Sequence, residues 1–117
     1  MQAPHYFNQA KDQLNKYFKG ELKRFNLDLS LRGTEFQKTV WTALMDIPYG
    51  KTESYSGMAA RIKRPKAVRA VGSANGKNPI PIVIPCHRVI GQNGSLTGFG
   101  GGLALKAFLL QLEGVDI

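Results

Sequence analysis

What the chain has little of narrows it first. Cys86 is the single cysteine among 117 residues. No disulfide can close within the chain, and redox chemistry that needs a resolving thiol is excluded. Histidine occurs twice, at His5 and His87. Together with one thiol these leave too few soft ligands for a closed zinc site, so neither a metal nor a cofactor is expected. Acidic residues are also scarce: 8 Asp and Glu face 16 Lys and Arg, and the net charge of +8 favours a polyanionic partner. No apolar run approaches the length that crosses a bilayer, and Met1 to Pro4 are not followed by the apolar core of a signal peptide. A cytoplasmic, monomeric protein with no membrane attachment is the expectation.

What is present reads as one hydrophobic core, with 43% hydrophobic and 21% charged residues and neither repeats nor low-complexity tracts. The basic residues crowd the middle. Lys51, Arg61, Lys63, Arg64, Lys66, Arg69, Lys77 and Arg88 are opposed there by Glu53 alone, which marks that segment for phosphate contact.

Helical spacing of Phe7, Ala10, Leu14, Tyr17 and Phe18 predicts a helix over Tyr6 to Phe18, closed by Gly20. Phe25 to Leu31 alternates apolar and polar residues, as a half-buried strand or an extended linker would. Thr34 and Gln37 form a capping-box pattern ahead of a helix from Glu35 to Met45. Thr52 to Ile62 reads as a short helix rich in small residues. Arg64-Pro65 should open the next one, Lys66 to about Ala74, since proline at a first helical position has no donor to lose.

Two short helices joined by a tight turn match a helix-turn-helix. The second carries Ala67, Ala70 and Ser73 with Lys66 and Arg69 projecting. It lacks the long side chains that read base edges in the major groove, and its slimness suits the minor groove. Asn75 to Pro79 reads as a turn and Gly91 to Ser95 as a loop. Four glycines surround Phe99 between Gly98 and Gly102. Leu103 to Leu112 forms a final apolar helix.

The chain is organised around Ile80-Pro81-Ile82-Val83-Ile84-Pro85-Cys86-His87-Arg88-Val89-Ile90-Gly91. A β-branched run too short for a helix delivers the cysteine from a rigid strand end, with an imidazole and a guanidinium beside it. A buried structural cysteine is the commoner fate of a lone thiol. Here both neighbours should favour thiolate over thiol. The fold class that results is mainly α: a small helical domain with a winged-helix-like helix-turn-helix and a short strand or extended segment leading to Cys86.

This block, with Arg69-Ala70-Val71-Gly72 and Asn78-Pro79 before it and Thr97 to Gly101, Leu109-Leu110 and Glu113-Gly114 after it, resembles the active-site signature of the O6-alkylguanine-DNA alkyltransferases. The likeness is strong from about Gly33 to Gly114. It implies a domain over residues 33–117 that binds DNA and carries the active site. Residues 1–32 would be a helix and linker left from the N-terminal domain that family members usually carry.

The resemblance further implies irreversible, single-turnover transfer of an alkyl group from O6 of guanine, and from O4 of thymine, in double-stranded DNA to Cys86. Location with the DNA follows, on the nucleoid of a prokaryote or in the nucleus of a eukaryote. His87 would take the thiol proton and Glu113 would orient the histidine. Tyr55 would donate to the departing guanine, and Asn78 would brace the segment that carries the cysteine. Arg69 would enter the space left by an extruded base, while Lys66, Ala67, Ala70, Ser73 and Arg88 would contact DNA. Val89 would meet the exocyclic amine, and Phe99, Gly100 and Gly101 would form a lid. Three rivals stay open: an alkyltransferase-like protein that binds alkylated DNA without chemistry, a helix-turn-helix regulator, and a cysteine hydrolase.

Overall fold

In the computed structural model the described residues are 5–91, 93–96 and 102–117, with side chains from residue 8 onward. The chain divides into two units, Met1–Ser30 and Leu31–Ile117. In the first, helix α1 (His5–Phe18) stops at Gly20, whose φ of +76 suits glycine. The Gly20 and Glu21 amides close back onto Tyr17 and Lys16 at 3.0 and 2.9 Å. Tyr17 is buried, with the rings of Phe18 and Phe25 at 5.4 and 5.6 Å. Gln13 bonds both backbone groups of Asn26. Phe25, Leu27, Leu29 and Leu31 alternate half-buried with exposed neighbours, but they form no strand, so the extended alternative holds.

The second unit begins with α2 (Glu35–Met45), at the bounds its caps foretell. Thr34 Oγ1 accepts from the Gln37 amide and Gln37 Oε1 accepts from the Thr34 amide, each at 3.0 Å. Its inward face of Val40, Trp41, Ala43 and Leu44 packs on α4 (Val68–Gly76), and Trp41 Nε1 donates to the Ala74 carbonyl at 2.9 Å.

The helix expected over Thr52 to Ile62 is shorter. Glu53–Ser54 form strand β1, and Ser54 caps α3 (Tyr55–Arg61) by accepting from the Gly57 amide at 2.9 Å. The helix expected from Lys66 starts instead at Val68. The Ala67 amide closes onto the Arg64 carbonyl at 2.9 Å, so Pro65 and Lys66 occupy the middle of a turn, where the fixed φ of proline is equally at home. At its other end α4 runs through Asn75 and Gly76, which were expected in a turn.

Ile80 to Ile84 is not a strand either. The Ile84 amide reaches back to Ile80 O at 3.0 Å, and Ile82 sits at φ +77. Asn78 staples the resulting loop, accepting from Ile80 N at 2.9 Å and donating to Ile84 O at 2.7 Å. A single 3-10 turn, Cys86–Arg88, follows, and then β2 (Val89–Ile90), so the strand comes after the cysteine rather than before it. β1 and β2 pair in parallel, Glu53 with Val89 and Ser54 with Ile90. This ladder joins the start of α3 to the end of the cysteine turn.

Helix α5 (Leu103–Leu112) turns Lys106, Leu109 and Leu110 inward and leaves Leu103, Leu105 and Phe108 exposed. No described helix is long and apolar enough to cross a membrane.

Gly33 lies under the Trp41 ring, where a Cβ would come within 2.7 Å of Cη2. Trp41 is 2% exposed and held by its own hydrogen bond, so the ring has no room to give. Gly33→Ala should therefore lower the stability measured by urea unfolding by about 1–3 kcal/mol.

Candidate active site

Cys86 opens the 3-10 turn and is 4% exposed, at the meeting of the Asn78-stapled loop, β2 and α5. His87, fully buried, places Nε2 at 2.7 Å from Glu113 Oε2. Glu113 is the residue that caps the C-terminus of α5. A carboxylate there faces the negative end of the helix dipole, and the surrounding donors offset this. Arg88 forks onto it through Nε at 2.8 Å and Nη2 at 2.9 Å, and the Gly50 amide adds a bond at 3.2 Å. Arg88 Nη1 donates to Ile47 O at 2.7 Å, and its guanidinium lies 5.8 Å from the centre of the Tyr49 ring. The Tyr49 hydroxyl in turn donates to Leu112 O at 3.3 Å.

Burial pushes the Cys86 thiol above its ordinary value. The Asn78 side-chain amide, the backbone amides of Cys86 and Ile82, and the charge on Lys106 all pull the other way, and they do not win. Burial likewise holds His87 below its ordinary value, despite the hydrogen bond and charge of Glu113, with the charges of Arg88 and Lys106 acting in the same direction as burial. At neutral pH the resting pair is thus a thiol and a neutral imidazole, which corrects the expectation of a standing thiolate. A carboxylate can only accept, so Nε2 carries the imidazole proton and Nδ1 keeps its lone pair. Nδ1 accepts no hydrogen bond from any described residue. That is the arrangement of a general base held by a third group.

The sequence assigned the neighbouring positive charge to Arg88. The structure turns that guanidinium onto Glu113 and gives the role to Lys106, which is fully buried and donates through Nζ to the Val89 carbonyl. Lys106 passed unnoticed within an apolar helix. The signal was its spacing, because Lys106, Leu109, Leu110 and Glu113 share one inward face at helical period. Asn75 was also missed: it is buried on α4, its side-chain amide 3.5 Å from Cys86 O.

The remaining candidates separate into those at the surface and those behind it. Arg69, Ala70 and Ser73 share the exposed face of α4, opposite buried Val71, Ala74 and Asn75. Lys66 is exposed and Ala67 half-buried in the preceding turn. Tyr55 is half-buried at the start of α3, and a Cβ on Gly72 would touch its ring at 3.9 Å. Val89 is buried beside Cys86.

Arg88, read as a DNA contact, is 6% exposed with its guanidinium committed to Glu113 and Ile47, and it cannot serve at the surface. Arg61 is tied to Glu53 and to Ala43 O, whereas Lys51, Lys63, Arg64, Lys66, Arg69 and Lys77 stay exposed. Phe99, Gly100 and Gly101 lie outside the described residues. No cluster of metal-ligating side chains occurs among the described residues.

A thiol thus stands one residue before an imidazole that is bonded to a buried carboxylate, and the helix pair α3–α4 carries exposed basic residues. Residues 35–115 match the family model described as 6-O-methylguanine DNA methyltransferase, DNA binding domain. The chain is 59% identical to the methylated-DNA--protein-cysteine methyltransferase of Methanosarcina acetivorans, over 93% of this chain and 70% of that protein.

Among solved structures it is similar to Mycobacterium tuberculosis OGT in complex with DNA, at 60% identity and a TM-score of 0.90, covering 92% of this chain and 66% of that one. It is also similar to S. pombe ATL in complex with DNA, at 34% identity and a TM-score of 0.64, covering 74% and 82%. The chain belongs to the 6-O-methylguanine DNA methyltransferase family.

Two outcomes follow from the buried network. Glu113→Gln leaves the Arg88 charge without its partner and should lower the stability measured by urea unfolding by about 3–5 kcal/mol. Because His87 titrates below its ordinary value of 6.5 when folded, the unfolded chain binds the extra proton first. The contribution of His87 is present above that value and is lost as pH falls through the lower folded value. Thermal melts of the native protein and of His87→Gln across that range should show the loss in the native protein alone.

Proposed function

We propose that this protein repairs DNA by moving an alkyl group from O6 of guanine to Cys86, once per molecule. The observation that carries the reading is the buried His87–Glu113 bond at 2.7 Å, directly after the one cysteine. His87 Nδ1 takes the thiol proton, directly or across one water, and the imidazolium is stabilised by Glu113. The sulfur then attacks the alkyl carbon, forming the S–C bond as the C–O bond breaks, and the electron pair leaves on guanine O6. Lys106 and the donors around Cys86 stabilise the sulfur as it gains charge.

Tyr55 donates to the departing base, and the O4 position of thymine offers the same alkyl–oxygen bond. The target must leave the stack to reach a sulfur behind α4, and Arg69 on that helix fills the gap. Lys66, Ala67, Ala70 and Ser73 form the surrounding DNA contact, with the backbone of Val89 against the exocyclic amine of the flipped base. The thioether product is stable and no group among the described residues of the site regenerates the thiol, so the protein is consumed where it meets the DNA.

The likeness to S. pombe ATL keeps a second reading in view, binding of alkylated DNA without chemistry. Cys86 decides between them. After incubation with a duplex containing O6-methylguanine, intact mass should rise by one methyl group, mapped by peptide sequencing to Cys86. Cys86→Ala should gain nothing while still binding the duplex. An unchanged mass in the native protein would favour the binding-only reading, and repeated turnover would exclude both. Arg69→Ala should slow repair of the duplex on the order of tenfold and leave reaction with free O6-benzylguanine nearly untouched.

A further inference from the structure

Two asparagines three residues apart hold the two backbone groups of Cys86. The Cys86 N–H donates to Ile84 O at 2.7 Å, and that carbonyl also accepts from the Asn78 side chain at 2.7 Å. The Cys86 carbonyl accepts from the Val89 amide within the turn and from Asn75 Nδ2 at 3.5 Å. The two asparagines also meet, the Asn75 backbone carbonyl accepting from the Asn78 amide at 3.3 Å. The loop that it staples accounts for Asn78. Nothing so far accounts for Asn75.

Asn75 lies on the inner face of α4 and is 5% exposed. Two carbonyl oxygens would repel, so the nitrogen of its amide is the end that faces Cys86 O. Its Oδ1 is buried with no partner among the described residues. A buried acceptor left unpaired costs free energy, and an apolar side chain of like shape would avoid that cost. The Cys86 carbonyl already has Val89, so stability gives no reason for an asparagine here. Such a group in a native structure calls for another explanation. Among the described residues, Asn75 makes the one hydrogen bond that joins α4 to the turn Cys86–Arg88. The opposite face of that helix exposes Arg69, Ala70 and Ser73.

We propose that Asn75 is a positioning residue for the alkyl transfer: it ties the helix that bears on DNA to the backbone of the nucleophile, by a bond that is long at rest and closes when DNA is bound. This deepens the reading of Cys86 as nucleophile and of α4 as the DNA contact, and rests on both. Hydrogen bonds of a reactive site are often long in the free protein and tighten once the substrate is in place. Asn78 holds the chain where it enters Cys86, and Asn75 holds it where it leaves. The separation between duplex and sulfur then depends on one side chain, and a misplacement of about 1 Å can slow a reaction about a hundredfold.

The native protein gives the first test. In 15N- and 13C-labelled material, addition of an undamaged duplex should move an Asn75 Nδ2 proton and the Cys86 carbonyl carbon downfield together, as a shortening bond does. If both stay in place while the Ser73 amide on the outer face shifts, the helix has taken up DNA without closing the bond, and the proposal is overturned. No shift at either face sinks the reading of α4 as the DNA contact, and the proposal with it.

The second test is Asn75→Leu, which removes both ends of the amide and keeps its branching. The single-turnover rate at saturating O6-methylguanine duplex should fall on the order of tenfold, with the half-saturating concentration of duplex unchanged. Reaction with free O6-benzylguanine, which does not bear on the helix, should fall far less. A native rate on the duplex overturns the proposal. So does equal slowing with the free base, which would make Asn75 a support of the turn alone. The spectra need no chemistry, so absence of methyl transfer in the native protein sinks the repair reading, whereas unmoved Asn75 and Cys86 signals sink only the tie.

Discussion

Glu113 is a carboxylate buried at the end of a helix that repels it. Withdrawing such an ion from water costs several kcal/mol even after the protein relaxes, and the chain offsets this with donors drawn from separate places. His87 and Arg88 come from the 3-10 turn and Gly50 from the turn after α2, while Arg88 also holds Ile47. Each of these segments is irregular, with few backbone bonds of its own to fix it. The carboxylate gives them a common anchor, so the geometry of the reactive turn depends on a charge more than on any helix.

The balance of charge around that anchor sets the chemistry. Two cations, Arg88 and Lys106, share the interior with one carboxylate, and together with burial they keep His87 neutral. A neutral ring bound to a carboxylate at one nitrogen is a base at the other. Had His87 been charged at rest it could not have taken a proton. The thiol is protonated for a related reason, since its few donors do not outweigh its burial. The resting sulfur is therefore a thiol, held so by its burial.

How much of this could be read from the residues differs by element. Helices α2 and α5 were legible to the residue because period and caps agreed: Thr34 with Gln37 at one, and the apolar run bounded by glycines at the other. The run Ile80 to Ile84 misled because β-branched residues favour strands only when a partner strand is available. None is among the described residues, and Asn78 folds the segment on itself. Pro65 misled in the same way, since proline fits a turn as well as a first helical turn. Cys86 and His87 stood out in the run itself, Glu113 came through a family signature, and the contact of His87 with Glu113 needed the fold. Arg88 shows the limit most clearly: adjacency along the chain placed its charge beside the sulfur, while its long side chain took it to the carboxylate.

The two-residue parallel ladder between β1 and β2 is the smallest element of the fold. It ties Glu53–Ser54 to Val89–Ile90, so the first turn of α3 and the cysteine turn are neighbours through backbone bonds alone. Side-chain substitutions can drift without loosening such a seam. The ladder sets the separation between the start of α3 and the turn that carries Cys86. A substitution that shifts one of these two segments must therefore shift the other.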